Sequence, residues 1–234
     1  MYNAVYKKKF IHIMLLVVII VGYACIVRAE KTLLFDDFSD GSLINPPETT
    51  NNPKWVSAAT FWLVPVPVDD GKGKKVLNQP FWIYAGDSEW TNYEIEVKFR
   101  LLADGGDNLT RLTVMVYYDE ANPKKCYESR IMFAPQKSEW TMAWQCVDKE
   151  SEQVLFSTSI GPTPLEKFGD TWHTFTTRID GDYMIGYIDG IQIGSNLIRL
   201  TGDHKKGKIC LYSDKLASFR GEWIHIDHIK VRGL

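Results

Sequence analysis

The chain has 234 residues, with 27 basic and 29 acidic side chains, a formal net charge of −2, and 13% aromatic residues. That balance argues against nucleic acid as a partner, because phosphates demand clustered Lys and Arg. Beyond residue 29 no apolar run approaches the ~20 residues of a membrane span, and the length suffices for one large buried core.

The first predicted element is a leader over residues 1–29. Lys7, Lys8 and Lys9 form its positive start, an 18-residue apolar stretch runs over residues 10–27, and Val27-Arg28-Ala29 ends on a small residue. The pattern is that of a signal peptide. Residues 10–27 retained as a membrane anchor are the alternative, and lipid attachment at Cys25 is a third, although Gly22 stands where a lipobox carries Leu. Either way residues 30–234 are expected outside the cytoplasm: secreted, periplasmic or on the cell surface. The leader holds four basic residues and no acid, so the remainder carries 23 basic against 29 acidic residues, a net charge of about −6.

Period-two alternation then recurs to the end of the chain, which is the strand signal. Thr32–Phe38 is a predicted strand, and Ser42–Pro53 a Pro- and Asn-rich loop. Phe61–Val68 contains Pro65 and Pro67 and reads as an edge strand or extended loop. Short strands follow at Lys75–Asn78 and Phe81–Ala85. Tyr93–Leu101 places Tyr93, Ile95, Val97, Phe99 and Leu101 on one face and Glu94, Glu96, Lys98 and Arg100 on the other. Asp104-Gly105-Gly106-Asp107 turns the chain into Leu109–Asp119, which carries the sequon Asn108-Leu109-Thr110 at its start. A hairpin turning near Pro135–Ser138 and the strand Val154–Ile160 come next. Leu165–Phe168 could hold one helical turn. Trp172–Ile179 and Tyr183–Asp189 form a hairpin around Asp180-Gly181-Asp182, and Lys208–Ser213 and Glu222–Val231 close the set. About a dozen strands without a sustained helical period predict an all-β sandwich of two antiparallel sheets in one domain.

The 125–148 hairpin fixes a further expectation. A turn centred on Gln136 sets Cys126 opposite Cys146, leaving them either disulfide-bonded, as an oxidising compartment allows, or as two small packed thiols. Cys210 remains as core packing. The same register puts Glu128, Arg130 and Met132 on one face with Trp144, Met142 and Trp140. The neighbouring strand adds Arg111, Thr113, Met115 and Tyr117 to that face and leaves Leu112, Val114 and Val116 for the core. A one-residue slip would reverse these faces, and Trp140 and Trp144 would then be core residues.

Several landmarks resemble the concanavalin A-like lectin/glucanase superfamily. Leu34-Phe35-Asp36-Asp37-Phe38 followed by Trp55 is similar to its first strand. Trp90-Thr91-Asn92-Tyr93 through Val97, Phe99 and Arg100 resembles its W-x-x-Y-x-x-x-V-x-F-R strand. Trp172-His173-Thr174-Phe175 with Ile188-Asp189-Gly190 resembles its W-H-x-F … D-G hairpin. Gly207–Tyr212 with Ile226–Val231 resembles its closing pair, except for Cys210, Ile226 and His228. The pattern is closest to laminin G-like modules and to domain of unknown function 1080, the 3-keto-disaccharide hydrolase-like group. The resemblance implies a jelly-roll sandwich that meets carbohydrate on its concave sheet face.

The superfamily's endoglucanases carry E-x-D-x-x-E on one strand, matching the two carboxylates of glycoside hydrolysis. Glu94-Ile95-Glu96 is followed by Val97-Lys98-Phe99 and lacks the third acid, so a solvated sheet face accounts for it. His173, His204, His225 and His228 show no metal-ligand spacing, and the odd separation of His225 and His228 sets them on opposite faces. No catalytic set is therefore assigned. The proposed ligand residues are Arg111, Tyr117, Glu128, Arg130, Trp140 and Trp144, because aromatic rings stack on sugars while Arg and Glu bond hydroxyls. Asp37 and Asp227 meet if the terminal strands pair, and could hold a structural calcium ion; no other cofactor is expected. The reading is an exported carbohydrate-binding module. Its alternatives are a hydrolase of the 3-keto-disaccharide type, relying on acids such as Glu128 or Asp189, and a structural or adhesive envelope protein.

Overall fold

The computed structural model describes residues 31–43, 55–57, 67–78, 81–102, 110–136, 139–164, 171–194, 197–215 and 224–234. The expected leader, the stretch 61–66, the turn at 165–168 and the sequon at Asn108 lie outside these residues.

Strands form where apolar residues recur at every second position. The chain begins with β1 (Lys31–Asp36), β2 (Val56–Ser57), β3 (Val68–Asp69), β4 (Lys75–Asn78), β5 (Phe81–Ala85) and β6 (Tyr93–Leu101). In β6 the five expected apolar residues are buried, while Glu94, Glu96 and Lys98 alternate with them on the outer side. Then come β7 (Thr110–Tyr118), β8 (Tyr127–Gln136), β9 (Glu139–Asp148) and β10 (Gln153–Pro164). β11 (Trp172–Asp180) and β12 (Tyr183–Ile188) follow, with Asp180 paired to Tyr183 across Gly181 and Asp182, the hairpin expected there. β13 (Ile191–Gln192), β14 (Ile198–Arg199), β15 (Lys208–Lys215) and β16 (Ile224–Gly233) complete the described strands, among which no helix intervenes.

These strands make two sheets. One runs β13-β12-β11-β6-β16-β4-β3, with β1 also on β16 and β14 on β12; the other runs β10-β9-β8-β7-β15-β5-β2. Their inner faces meet in one core, to which β6 and β16 bring Val97, Phe99, Ile229 and Val231, and β7, β8 and β15 bring Leu112, Val114, Ile131 and Leu211. Burying such side chains supplies most of the folding free energy. β1 pairs with β16, so the first and last described strands lie side by side in one sheet, as expected. The Asp36 carboxylate, fully buried, accepts hydrogen bonds from the Trp55 indole (2.7 Å) and the Phe38 amide (2.8 Å). This explains why an aspartate closes the first strand and a tryptophan follows it.

Two irregularities decide which side chains reach the surface. In β16 the register skips from Ile226–Phe99 to His228–Lys98, leaving Asp227 as an extra residue. The bulge brings His225 and His228 to one face, correcting the expectation that they part. His225 Nδ1 lies 3.3 Å from Arg100 Nε, and His228 Nε2 lies 3.3 Å from Glu96 Oε1. In β7 the register against β15 skips between Lys208–Tyr118 and Cys210–Met115, and Tyr117 adopts φ 56°. A Cβ on Gly207 would stand 2.4 Å from the Tyr117 carbonyl carbon, so the two backbones can approach this closely only because residue 207 is glycine.

Candidate ligand-binding face

β7 and β8 pair so that Arg111 faces Met132, Thr113 faces Arg130 and Met115 faces Glu128. Leu112, Val114 and Val116 are buried on the other side. This half of the expected surface is present, on the outer face of the seven-stranded sheet.

The β9 half is reversed. Ser129 pairs with Cys146, Arg130 with Gln145 and Ile131 with Trp144, up to Gln136 with Glu139. The strands are thus joined through residues 137 and 138 rather than by a turn centred on Gln136. Relative to that turn β9 is displaced by three residues, an odd number, and every side chain changes face. Trp144 is fully buried in the core, with its Nε1 donating to Ser129 Oγ at 3.0 Å. Cys146 is in the main core, whereas Cys126 is on the opposite face with Met115, Tyr118 and Cys210. The disulfide is absent, and all three described cysteines are free and buried. Burial pushes the Cys126 and Cys146 thiols up to about 12. Trp140 pairs with Pro135, and its side chain lies outside the described residues.

Tyr117 also leaves the expected face. At the bulge its ring turns into the core and packs edge-on against Tyr93 and Tyr127, at centroid distances of 6.0 and 6.4 Å. Its amide donates to Tyr93 Oη at 3.0 Å. Tyr118 takes the outward position, beside Tyr84 at 5.3 Å.

What the sequence reading missed lies on the other side of β7. β15 pairs with both β5 and β7, and a single row of register partners crosses the sheet: Trp82, Tyr212, Thr113, Arg130, Gln145 and Ser157. Trp82 and Tyr212 meet edge to face at 5.6 Å. The Arg111 guanidinium lies 4.8 Å over the Tyr212 ring and donates to its Oη at 3.1 Å. Glu128, 5% exposed, is ion-paired with Arg130 and lies 3.5 Å from Lys149 Nζ. Arg130 Nε has no hydrogen-bond partner among the described residues. The alternation Phe81-Trp82-Ile83-Tyr84 held the signal for this aromatic end: with Phe81 and Ile83 buried, Trp82 and Tyr84 face outward. The face thus joins flat apolar rings to a fork of cations around one carboxylate, a combination suited to a polyhydroxylated ligand with an apolar side.

On the opposite sheet, Asp227 is ion-paired with Lys74, lies 3.4 Å from Lys98 Nζ, and contacts His228 Nδ1 at 3.0 Å. Burial acts to raise its pKa, but the Lys74 and His228 hydrogen bonds and the neighbouring ammonium groups outweigh it and hold the carboxyl below its usual value. Asp37 caps its own turn, accepting from the Ser39 amide at 3.1 Å, and also feels the Lys74 charge. A lysine therefore already supplies positive charge to the two acids considered for calcium.

Residues 36–232 match the 3-keto-alpha-glucoside-1,2-lyase-like domain. No curated protein matches the chain by sequence. Among solved structures, the chain resembles a family 16 glycoside hydrolase of a Bacteroides ovatus mixed-linkage glucan locus, bound to its product, at 14% identity and TM-score 0.55, covering 85% of this chain and 99% of that one. A Bacillus licheniformis β-glucanase aligns at 12% identity and TM-score 0.56, covering 87% and 99%. The laminarinase catalytic domain of Thermotoga maritima aligns at 13% and 0.56, covering 88% and 98%. At such identities the likeness establishes the jelly-roll fold and nothing of the chemistry.

Proposed function

Because the chain belongs to the 3-keto-alpha-glucoside-1,2-lyase-like family, we propose that it binds a glucoside on the outer face of the seven-stranded sheet. The observation that carries this reading is the row from Trp82 and Tyr212 to Arg130. A sugar ring stacks its C–H face on the aromatic end, while Arg111, Arg130 and Glu128 take its hydroxyls. The reading includes an export leader over residues 1–29, taken from the sequence pattern alone, and with it a site outside the cytoplasm.

Titration calorimetry and affinity electrophoresis against glucosides, 3-keto-glucosides and β-glucans test the reading. Binding is expected, with Trp82→Ala and Arg130→Ala weakening it while circular dichroism stays unchanged. Absence of binding to every saccharide would overturn it.

A second reading is favoured by Glu128 and its two cations. In a 3-keto-glucoside the C2 proton lies α to a carbonyl, so a carboxylate can remove it as the electron pair moves to O3 as an enolate. Arg130 and Lys149 would neutralise that oxygen. Collapse of the enolate expels the C1 substituent and forms the C1–C2 double bond. Turnover of a 3-keto-glucoside, lost in Glu128→Gln with binding retained, would support elimination; binding without turnover leaves the module as a lectin.

A further inference from the structure

The β9–β10 turn and the loop before β15 bring Glu150, Asp203 and His204 together, their ligand atoms all within 4.8 Å of one another. The imidazole is the unusual member. His204 is 6% exposed, yet neither ring nitrogen has a hydrogen-bond partner among the described residues, although buried polar groups are ordinarily satisfied. Its Nδ1 lies 3.6 Å from Glu150 Oε2 and 4.0 Å from Asp203 Oδ1, beyond hydrogen-bond length.

The ring is held in place rather than loosely packed. It stacks on Tyr127 at 4.4 Å with 26° between planes. Gly202 leaves room for it: a Cβ there would stand 2.6 Å from Tyr127 Oη and 2.8 Å from the His204 ring. The Gly202 amide donates to the same Tyr127 Oη at 2.6 Å. Asp148 fixes the other side, accepting from the Glu150 amide at 3.0 Å. A fixed imidazole thus faces two exposed carboxylates, 51% and 94% accessible, that are free to adjust.

We propose that Glu150, Asp203 and His204 form a binding site for a divalent transition-metal ion of the zinc class. Ligands about 2.0–2.1 Å from a tetrahedral ion lie about 3.3–3.4 Å apart, so against the 3.6 and 4.0 Å seen here the two exposed acids close in by about an ångström or less toward the imidazole, and by up to about 1.5 Å toward each other. A nitrogen with two carboxylate oxygens suits zinc, cobalt or manganese better than calcium, which takes oxygen alone. Asp203 and His204 also line a cleft with Tyr118, Glu120 and Lys208, so the ion's remaining positions open toward water at its rim. Bound there, the ion ties the loop ahead of Gly207 to the β9–β10 turn.

The test uses the full chain, stripped with chelator and titrated with Zn²⁺ and Co²⁺ by calorimetry, with the visible cobalt spectrum and the melting temperature as further readouts. The expected result is about one equivalent bound, a raised melting temperature and a cobalt band of nitrogen–oxygen coordination. The exposed-residue double variant Glu150→Gln/Asp203→Asn should melt as the metal-free parent does and bind at least about tenfold more weakly. No stoichiometric binding of either ion, or unchanged binding by the double variant, would overturn the proposal.

Discussion

Trp144 and Gly186 meet across the sandwich: a Cβ built on the glycine would stand 2.7 Å from the indole. The β12 strand therefore makes room for a side chain of the other sheet, and the indole fills that space. Its Nε1 donates to Ser129 Oγ, which also accepts from Thr177 Oγ1 at 2.8 Å. Trp144→Ala should cost about 3–5 kcal/mol by opening a cavity, and Gly186→Ala about 1–3 kcal/mol by overpacking. Urea unfolding measures both. Stability unchanged in Trp144→Ala would return the indole to a surface role.

The cysteines give a second expectation. With Cys126 and Cys146 on opposite faces of the sheet, reductant should leave the melting temperature of the protein unchanged. Buried thiols held near 12 react slowly, since the thiolate is the nucleophile. Alkylation followed by mass spectrometry should label Cys126, Cys146 and Cys210 without reductant after unfolding in guanidinium, and barely before it. Recovery of a Cys126–Cys146 linked peptide would contradict the register described above.

The strands themselves were legible because β6, β7 and β11–β12 alternate cleanly and their turns are marked by Gly and Asp. What periodicity could not supply was register. Nothing local distinguishes a pairing centred on Gln136 from one that sets Gln136 opposite Glu139, yet the difference of three residues sends Trp144 and Cys146 inward. Bulges act likewise. Tyr117 turns inward because a distant glycine, Gly207, allows the backbone to kink against it; Asp227 brings His225 and His228 to one side. Arg111, Glu128 and Arg130 share a face, as the alternation implies, because β7 and β8 pair without interruption. Trp82 and Tyr212 were missed because their place beside that group depends on β15 inserting between β5 and β7, a pairing no short segment encodes.

Asp36 sets a pH dependence whose sign can be worked out. Burial raises its carboxyl from 3.8 to about 6, against the opposing hydrogen bonds from Phe38 and Trp55. The unfolded chain loses this proton near 3.8, whereas the folded protein keeps it until about 6. Between those values the folded state binds more protons, so this residue's contribution makes stability fall as pH rises, by about 3 kcal/mol in all. Asp37 and Asp227 have the opposite sign, because their carboxyls titrate below the usual value and their stabilisation is lost only under more acid conditions. Asp36→Asn retains an acceptor for Trp55 and cannot ionise. Denaturant unfolding of parent and variant at a series of pH values should give curves that converge toward pH 4 and separate as the pH rises through 6, with the variant relatively more stable on the alkaline side. Parallel curves across that window would mean that the carboxyl titrates normally despite its burial against Trp55.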